Sequence, residues 1–301
     1  MNQHQPVLRI FDSETPLPDP ALSAREKTLL GFDTRYQRVH NQLRLLLNLD
    51  ELGAWNRKHH HGKLALCDLV AEQYPFVIFH GDVGTGKTAT AECLANRLVS
   101  EARGEDSILF KLSNRVRGTG KVGEMGTLLS EAFLRVTQSA GRGRRAILII
   151  DEGDSLAAAR SQEHSHHEDK VAVNTLIQGI DDLRRFNGRV VTFLCTNRVN
   201  VLDPALGRRA AIVEEFKRPA AEERRALFKM DFAGLHITDM QIAQLVAATD
   251  AKNGQPSWTY SDIRTRLYPA ALALAFPHKP LEFDHLRSAV STMKPSPIME
   301  E

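Results

Sequence analysis

"FVIFHGDVGTGKTATAECL", residues 76–94, joins an apolar run to a glycine-rich loop and then to a helical pattern. Within it, Gly81-Asp-Val-Gly-Thr-Gly-Lys87-Thr88 fits the spacing G-x-x-x-x-G-K-[ST], and the flanks are the ones that spacing needs. The apolar run predicts a strand that delivers the chain to the loop, and a helix begins at Lys87. Glycines let the backbone curl so that several N–H groups face inward as an anion nest, to which the helix start adds its positive dipole end. Lys87 is expected to reach the β- and γ-phosphates of a nucleoside triphosphate, and the Thr88 hydroxyl to ligate Mg²⁺. The binding segment is then Asp82, Val83, Gly84, Thr85, Gly86, Lys87, Thr88 and Ala89.

Outward from this stretch, short β-rich apolar runs recur at 107–113, 145–151, 190–197 and 211–216. Helical patterns lie between them at 87–102, 123–138 and 170–186. Most of these runs are almost continuously apolar, as parallel strands covered on both faces should be. The alternation predicts an α/β fold built on a doubly wound parallel sheet. Val39, Leu43, Leu46 and Leu47 share one helical face upstream. Residues 1–26 are Pro-rich and polar and read as an extended arm. Beyond Pro219 the strand patterns stop and four helical ones follow. The organisation expected is an arm (1–26), a large α/β domain (27–219) and a small all-α domain (220–301).

Three strand ends carry polar groups. In "RAILIIDEGD" the strand ends at Asp151 and Glu152, at the carboxyl end where α/β sheets bind ligands. Asp151 is expected to hold Mg²⁺ through water, leaving Glu152 to polarise the attacking water as general base. Adjacent acids here favour hydrolysis over nucleotide storage. Thr196 and Asn197 close the next strand, and the Asn197 amide could orient that water. Alone, this pair is an ordinary strand-ending turn; its weight comes from following the two acids. In "DPALGRRAAIVEEF", Arg208 and Arg209 are either a solvated pair or a guanidinium source for the γ-phosphate. At the far edge of the sheet they would act on a neighbour's nucleotide, which requires a ring.

Composition narrows the partners. Lys and Arg total 39 against 37 Asp and Glu, a net charge of +2, so no overall field draws the chain to nucleic acid or membrane. No apolar run approaches the roughly 18 residues of a membrane span. The first twenty residues lack the basic-then-apolar pattern of a signal peptide, and a cytoplasmic location is expected. Cys67, Cys93 and Cys195 are odd in number and widely spaced, which suits core thiols in a reducing compartment. "KHHHGK" at 58–63 and "HSHHEDK" at 164–170 lack the paired spacing of a zinc site and read as surface loops.

The ordered set "GDVGTGKT", "ILIIDEGD", "CTN", "DPALGRRA" and a helical lid resembles the AAA+ ATPases over about residues 27–290. The family implies ATP and Mg²⁺ as cofactors and a ring, usually a homohexamer, with nucleotide at subunit interfaces. "DSLAAAR" after the acids, the "IDDL" helix and the segment from Arg209 are similar to the pachytene-checkpoint, or thyroid-receptor-interactor, branch. That branch uses ATP to partly unfold HORMA-domain proteins and convert them between closed and open states. Compact bacterial relatives accompany HORMA proteins and CD-NTase enzymes in CBASS antiphage systems. The resemblance therefore implies a HORMA client and, through it, a complex with a CD-NTase. Other AAA+ roles stay open: a general chaperone or unfoldase with another client, or a DNA-linked switch protein.

Some positions depart from the family pattern. Many AAA+ unfoldases grip substrate with an aromatic loop residue after the second strand, whereas here "SNRVRGTGKVGEM" offers Arg115, Val116 and Arg117. Grip is then expected to come from Val116 and the arginine stems or to be weaker than in those unfoldases. By analogy with the family, Arg264 in the lid is the expected γ-phosphate sensor, and Phe32 and Asp33 lie nearest the adenine.

Overall fold

The computed structural model describes residues 10–101, 106–113, 116, 123–141, 144–156 and 167–299. Two compact units emerge: one runs to His80 and over Thr88–Glu215, and the other holds Gly81–Lys87 with Phe216 onward.

The first unit is built on a six-stranded sheet, β1 (Phe11–Leu17), β2 (Tyr74–Gly81), β3 (Ser107–Leu112), β4 (Arg145–Ile150), β5 (Val190–Thr196) and β6 (Ala210–Phe216), in the order β1-β3-β4-β5-β2-β6. The run β3-β4-β5-β2 is parallel, with Ile150 opposite Leu194 and His80 opposite Thr196. Strands β4 and β5 are buried along almost their whole length, so the continuous apolar runs mark strands covered on both faces. Helices α5 (Lys87–Glu101), α6 (Glu124–Ala140) and α7 (His167–Leu183) follow β2, β3 and β4 in sequence. A Cβ at Gly179 would sit 2.5 Å from the Phe133 ring, so only glycine lets α7 approach α6 this closely.

The N-terminal segment departs from the expected arm. Strand β1 pairs antiparallel with β3, making the sheet mixed. Phe11 packs on Phe110 at 4.9 Å and is itself covered by the Arg135 guanidinium. Pro16 is tolerated because an edge strand has one side free of ladder hydrogen bonds. A short helix, α1 (Pro20–Glu26), follows and docks on α5. Its cap residue Asp19 donates its backbone N–H to Asn96 Oδ1 at 2.6 Å, and Asn96 Nδ2 donates back to the Asp19 carbonyl at 3.1 Å. Three further helices precede the loop: α2 (Phe32–Leu47), α3 (Leu49–His60) and α4 (Leu66–Ala71). Val39, Leu43 and Leu46 are buried, as their spacing implies. His59 and His60 belong to the last turn of α3 and pack against Trp55, so this histidine run is helical and not a loop. His164 and His166 lie outside the described residues. All three cysteines are free and buried, and burial pushes the Cys93 thiol up to about 11.

The second unit is all-α after Phe216. A last short helix of the first unit, α8 (Pro204–Arg209), precedes β6, and the second unit adds α9 (Ala221–Asp231), α10 (Asp239–Ala248), α11 (Tyr268–Ala275) and α12 (Phe283–Thr292). Their apolar faces meet around Leu227, Phe228, Leu245, Ile263, Leu267 and Leu286. Asp262–Leu267 winds as a π-helix into α11, a feature frequent at functional sites. Asp262 is 1% exposed, accepts the backbone N–H groups of Thr259 and Ser296 and accepts the Ser296 hydroxyl at 2.6 Å. Burial alone would raise its pKa, but the bonds from Ser296 and Thr259 prevail and hold it below the ordinary carboxylate value.

Two outcomes follow for stability. Phe11→Ala should lower the unfolding free energy of the first unit by about 3 kcal/mol, read by chemical denaturation, because it opens a cavity in the core beside Phe110. A depressed folded-state pKa means that Asp262 stabilises fully above its unfolded value of about 3.9 and loses that contribution as pH falls through the lower folded value. The helical unit should therefore weaken below about pH 4 in circular dichroism melts, and Asp262→Asn should flatten that dependence.

Candidate functional site

The phosphate loop groups with the helical unit and is held by its own backbone. Gly84 has φ +77°, and a Cβ there would lie 2.7 Å from Thr259 Oγ1 and from Ser261 Cβ, so the loop passes where no side chain fits. The Ser261 N–H donates to the Gly84 carbonyl at 3.1 Å. Thr85, 4% exposed, donates its hydroxyl to the Asp82 carbonyl at 2.7 Å. Lys87 Nζ donates to the carbonyls of Gly81 and Asp82, both at 2.8 Å, which folds its ammonium over the loop. Val83 is exposed at the loop's outer turn, and Gly86 has open space where a Cβ would be. Ala89 stands in the first turn of α5, whose leading N–H groups have no partner within the helix. The cradle suits a polyanion.

The acidic end of β4 belongs to the first unit. Thr88 Oγ1 donates to Asp151 Oδ2 at 3.0 Å, so two hard oxygen donors 63 residues apart in sequence stand side by side. That donor set fits Mg²⁺, which takes oxygen ligands and keeps several waters. Lys111, the charged residue inside the apolar strand β3, sets Nζ 3.3 Å from Glu92 and 3.9 Å from Asp151. Glu152 is exposed and has φ +51°, a left-handed conformation that costs a non-glycine residue about 1 kcal/mol. Its backbone N–H donates to Asp151 Oδ1 at 3.0 Å. Asp154 binds the end of β5: its Oδ1 accepts the Thr196 hydroxyl at 3.0 Å and the Asn197 N–H at 3.4 Å. Asn197 is half-buried, one residue beyond Thr196 and at the same end of the sheet as Asp151. Asp154 and Lys111 were not singled out in the sequence, although the third acid of "DEGD" and a lone lysine in an apolar run were signals for them.

The arginines separate by their partners. Arg209 grips Asp181 with both arms of its guanidinium, Nε at 2.5 Å and Nη2 at 2.9 Å, and donates Nη1 to the Ala205 carbonyl. The Asp181 bond raises its pKa further. Arg208 is exposed and makes no ion pair among the described residues. Arg264 is likewise committed: Nε and Nη2 bind Asp231 at 2.8 and 2.6 Å, and Tyr268 donates its hydroxyl to the same carboxylate. Arg264 therefore braces the helical unit, which differs from the expected phosphate sensor.

Two other expectations meet a different arrangement. Phe32 is 4% exposed, stacked on Tyr36 and covered by the Arg97 guanidinium, to which Asp33 also binds at 2.5 Å. Arg97 lies ten residues beyond Lys87, about 15 Å along α5, so both side chains are spent on anchoring α2 to that helix rather than facing a base. Val116 is 1% exposed and packs into the core of the first unit, where no client can touch it. Arg115 and Arg117 lie outside the described residues.

Comparison with known proteins agrees with this geometry. Residues 77–218 match the family described as ATPase family associated with various cellular activities (AAA). The chain is 66% identical over 290 residues to CD-NTase-associated protein 6 of Escherichia coli strain KTE188, covering 96% of this chain and 97% of the relative. Identity to the protein of the same name from E. coli strain MS 115-1 is 35% over 306 residues, 99% of this chain and 98% of that one. Among solved structures, a chain of the E. coli MS115-1 HORMA:CdnC:Trip13 complex superposes with a TM-score of 0.88 at 34% identity, covering 96% of this chain and 97% of that one. Rhizobiales Trip13 superposes with a TM-score of 0.70 at 31% identity, covering 95% and 99%. With its phosphate loop, paired acids and full-length likeness to these proteins, the chain belongs to the AAA ATPases, in the group of CD-NTase-associated protein 6 and Trip13.

Proposed function

We propose that this ATPase uses ATP hydrolysis to remodel a HORMA-domain protein, partly unfolding it, within a CD-NTase signalling system directed against phage. The observation that carries the reading is full-length likeness to a chain solved in a HORMA:CdnC:Trip13 complex. The 66% identical relative, named for its association with a CD-NTase, points the same way. The working form is a homohexamer with nucleotide between subunits, acting in the cytoplasm.

Each side chain then has a chemical task. The loop N–H groups from Asp82 to Ala89 bind the phosphates, and Lys87 exchanges its own loop carbonyls for phosphate oxygens. Thr88 and Asp151 would hold Mg²⁺, which when bound would neutralise charge on the phosphates. Glu152, thrust out by its left-handed backbone, accepts a proton from the attacking water. Asn197, fixed through Asp154, orients that water with its amide. Arg208 is the better finger for a neighbour's γ-phosphate, because reassigning Arg209 would leave Asp181 without its bidentate partner.

ATPase assays should show stimulation by a HORMA-domain protein, such as the one in the E. coli MS115-1 complex, and none by DNA; stimulation by DNA alone would defeat the reading. Glu152→Gln should bind ATP yet lower kcat by about a hundredfold, and near-normal turnover would remove Glu152 as the base. Arg208→Ala should cut kcat by at least about a hundredfold while leaving nucleotide affinity within twofold. Mixing it with Glu152→Gln subunits should restore some hydrolysis, since each supplies what the other lacks; no recovery would rule out action across an interface.

A further inference from the structure

The second residue of the phosphate loop is an acid. Asp82 sits in a segment shaped to receive a polyanion, where an unopposed carboxylate would add charge of the ligand's own sign. Its charge is answered from the C-terminal sequence. Arg218 donates Nε to Asp82 Oδ2 at 2.6 Å, and the Met299 backbone N–H donates to Asp82 Oδ1 at 3.1 Å. The rest of the Arg218 fork is fully used. Nη1 donates to the Ser257 carbonyl at 2.6 Å, and Nη2 to the carbonyls of Ser296 and Pro297, both at 2.9 Å. Both side chains are largely buried, 9% exposed for Arg218 and 15% for Asp82. The terminal strap is anchored independently, because Ser296 is bonded through its N–H and hydroxyl to the buried Asp262.

From this cluster we propose that Arg218 is a positioning residue for ATP binding: with the strap at 296–299 it neutralises Asp82 and fixes the phosphate loop in its anion-accepting shape. The planar guanidinium suits this task, since one rigid fork satisfies four acceptors that a lysine could not reach together. The leverage runs through the Asp82 carbonyl, which receives both the Lys87 ammonium and the Thr85 hydroxyl. A shift of Asp82 therefore disturbs the Lys87 and Thr85 contacts that hold the loop in shape. Nothing in this inference depends on the client, so ATP binding by the protein alone tests it.

The experiment is titration of a fluorescent ATP analogue with Mg²⁺ into four chains: wild type, Arg218→Ala, Asp82→Ala/Arg218→Ala, and a chain ending at Lys294. Arg218→Ala should weaken binding by at least about tenfold, since it leaves a largely buried carboxylate of the phosphate loop without its cation. The double variant should recover to within about threefold of wild type, a rescue that a purely structural role for Arg218 would not produce. Removing 295–301 should weaken binding severalfold in the same titration. Wild-type affinity in folded Arg218→Ala, or a double variant as weak as the single one, overturns the proposal. Should Arg218→Ala not fold, the shortened chain decides: unchanged affinity there overturns it equally.

Discussion

One hydrogen bond concentrates what the fold is for. Thr88 lies in the first turn of α5 and Asp151 directly follows β4, and their side chains meet at 3.0 Å. That meeting depends on the parallel register of β2, β5 and β4, which brings three strand ends to one edge of the sheet. The register is held in turn by strands whose residues are buried on both faces, where a slip would carry no polar residue to solvent but would misalign every packed layer. The apolar sheet thus brings Thr88 and Asp151, 63 residues apart in sequence, within hydrogen-bond distance.

Charge in this protein is organised by forks. Arg209 with Asp181 and Arg264 with Asp231 each place two guanidinium nitrogens on one carboxylate, and Arg218 spreads its fork over Asp82 and three carbonyls. Such pairs are directional and partly desolvated, so removing one member strands the other. This explains why residues whose type suits catalysis can be occupied with architecture. A guanidinium that already satisfies a carboxylate would have to leave it charged and unpaired to serve a phosphate. Arg208, exposed one residue earlier, carries no such cost.

The N-terminal segment shows the limit of composition as a guide. A stretch with Pro16, Pro18, Asp12 and Glu14 has little strand propensity, yet it completes the sheet edge because Phe11 and Leu17 find apolar cover. The following helix is capped by Asp19 and clamped by Asn96, whose side-chain amide matches one donor and one acceptor of the backbone. Tertiary pairing overrode local preference.

The sequence by itself determined the α/β class, the strand and helix alternation around the loop, the all-α region after Pro219 and the identity of the paired acids. These are properties of local periodicity and fixed spacing, and they survive any rearrangement of distant parts. Only the tertiary structure decided which charged side chains are available. Whether Arg208 or Arg209 is spent on Asp181, whether Val116 faces a client or the core, and what answers Asp82 are contacts between residues up to 217 positions apart. No periodicity encodes such pairings, because each depends on where the folded backbone carries a partner.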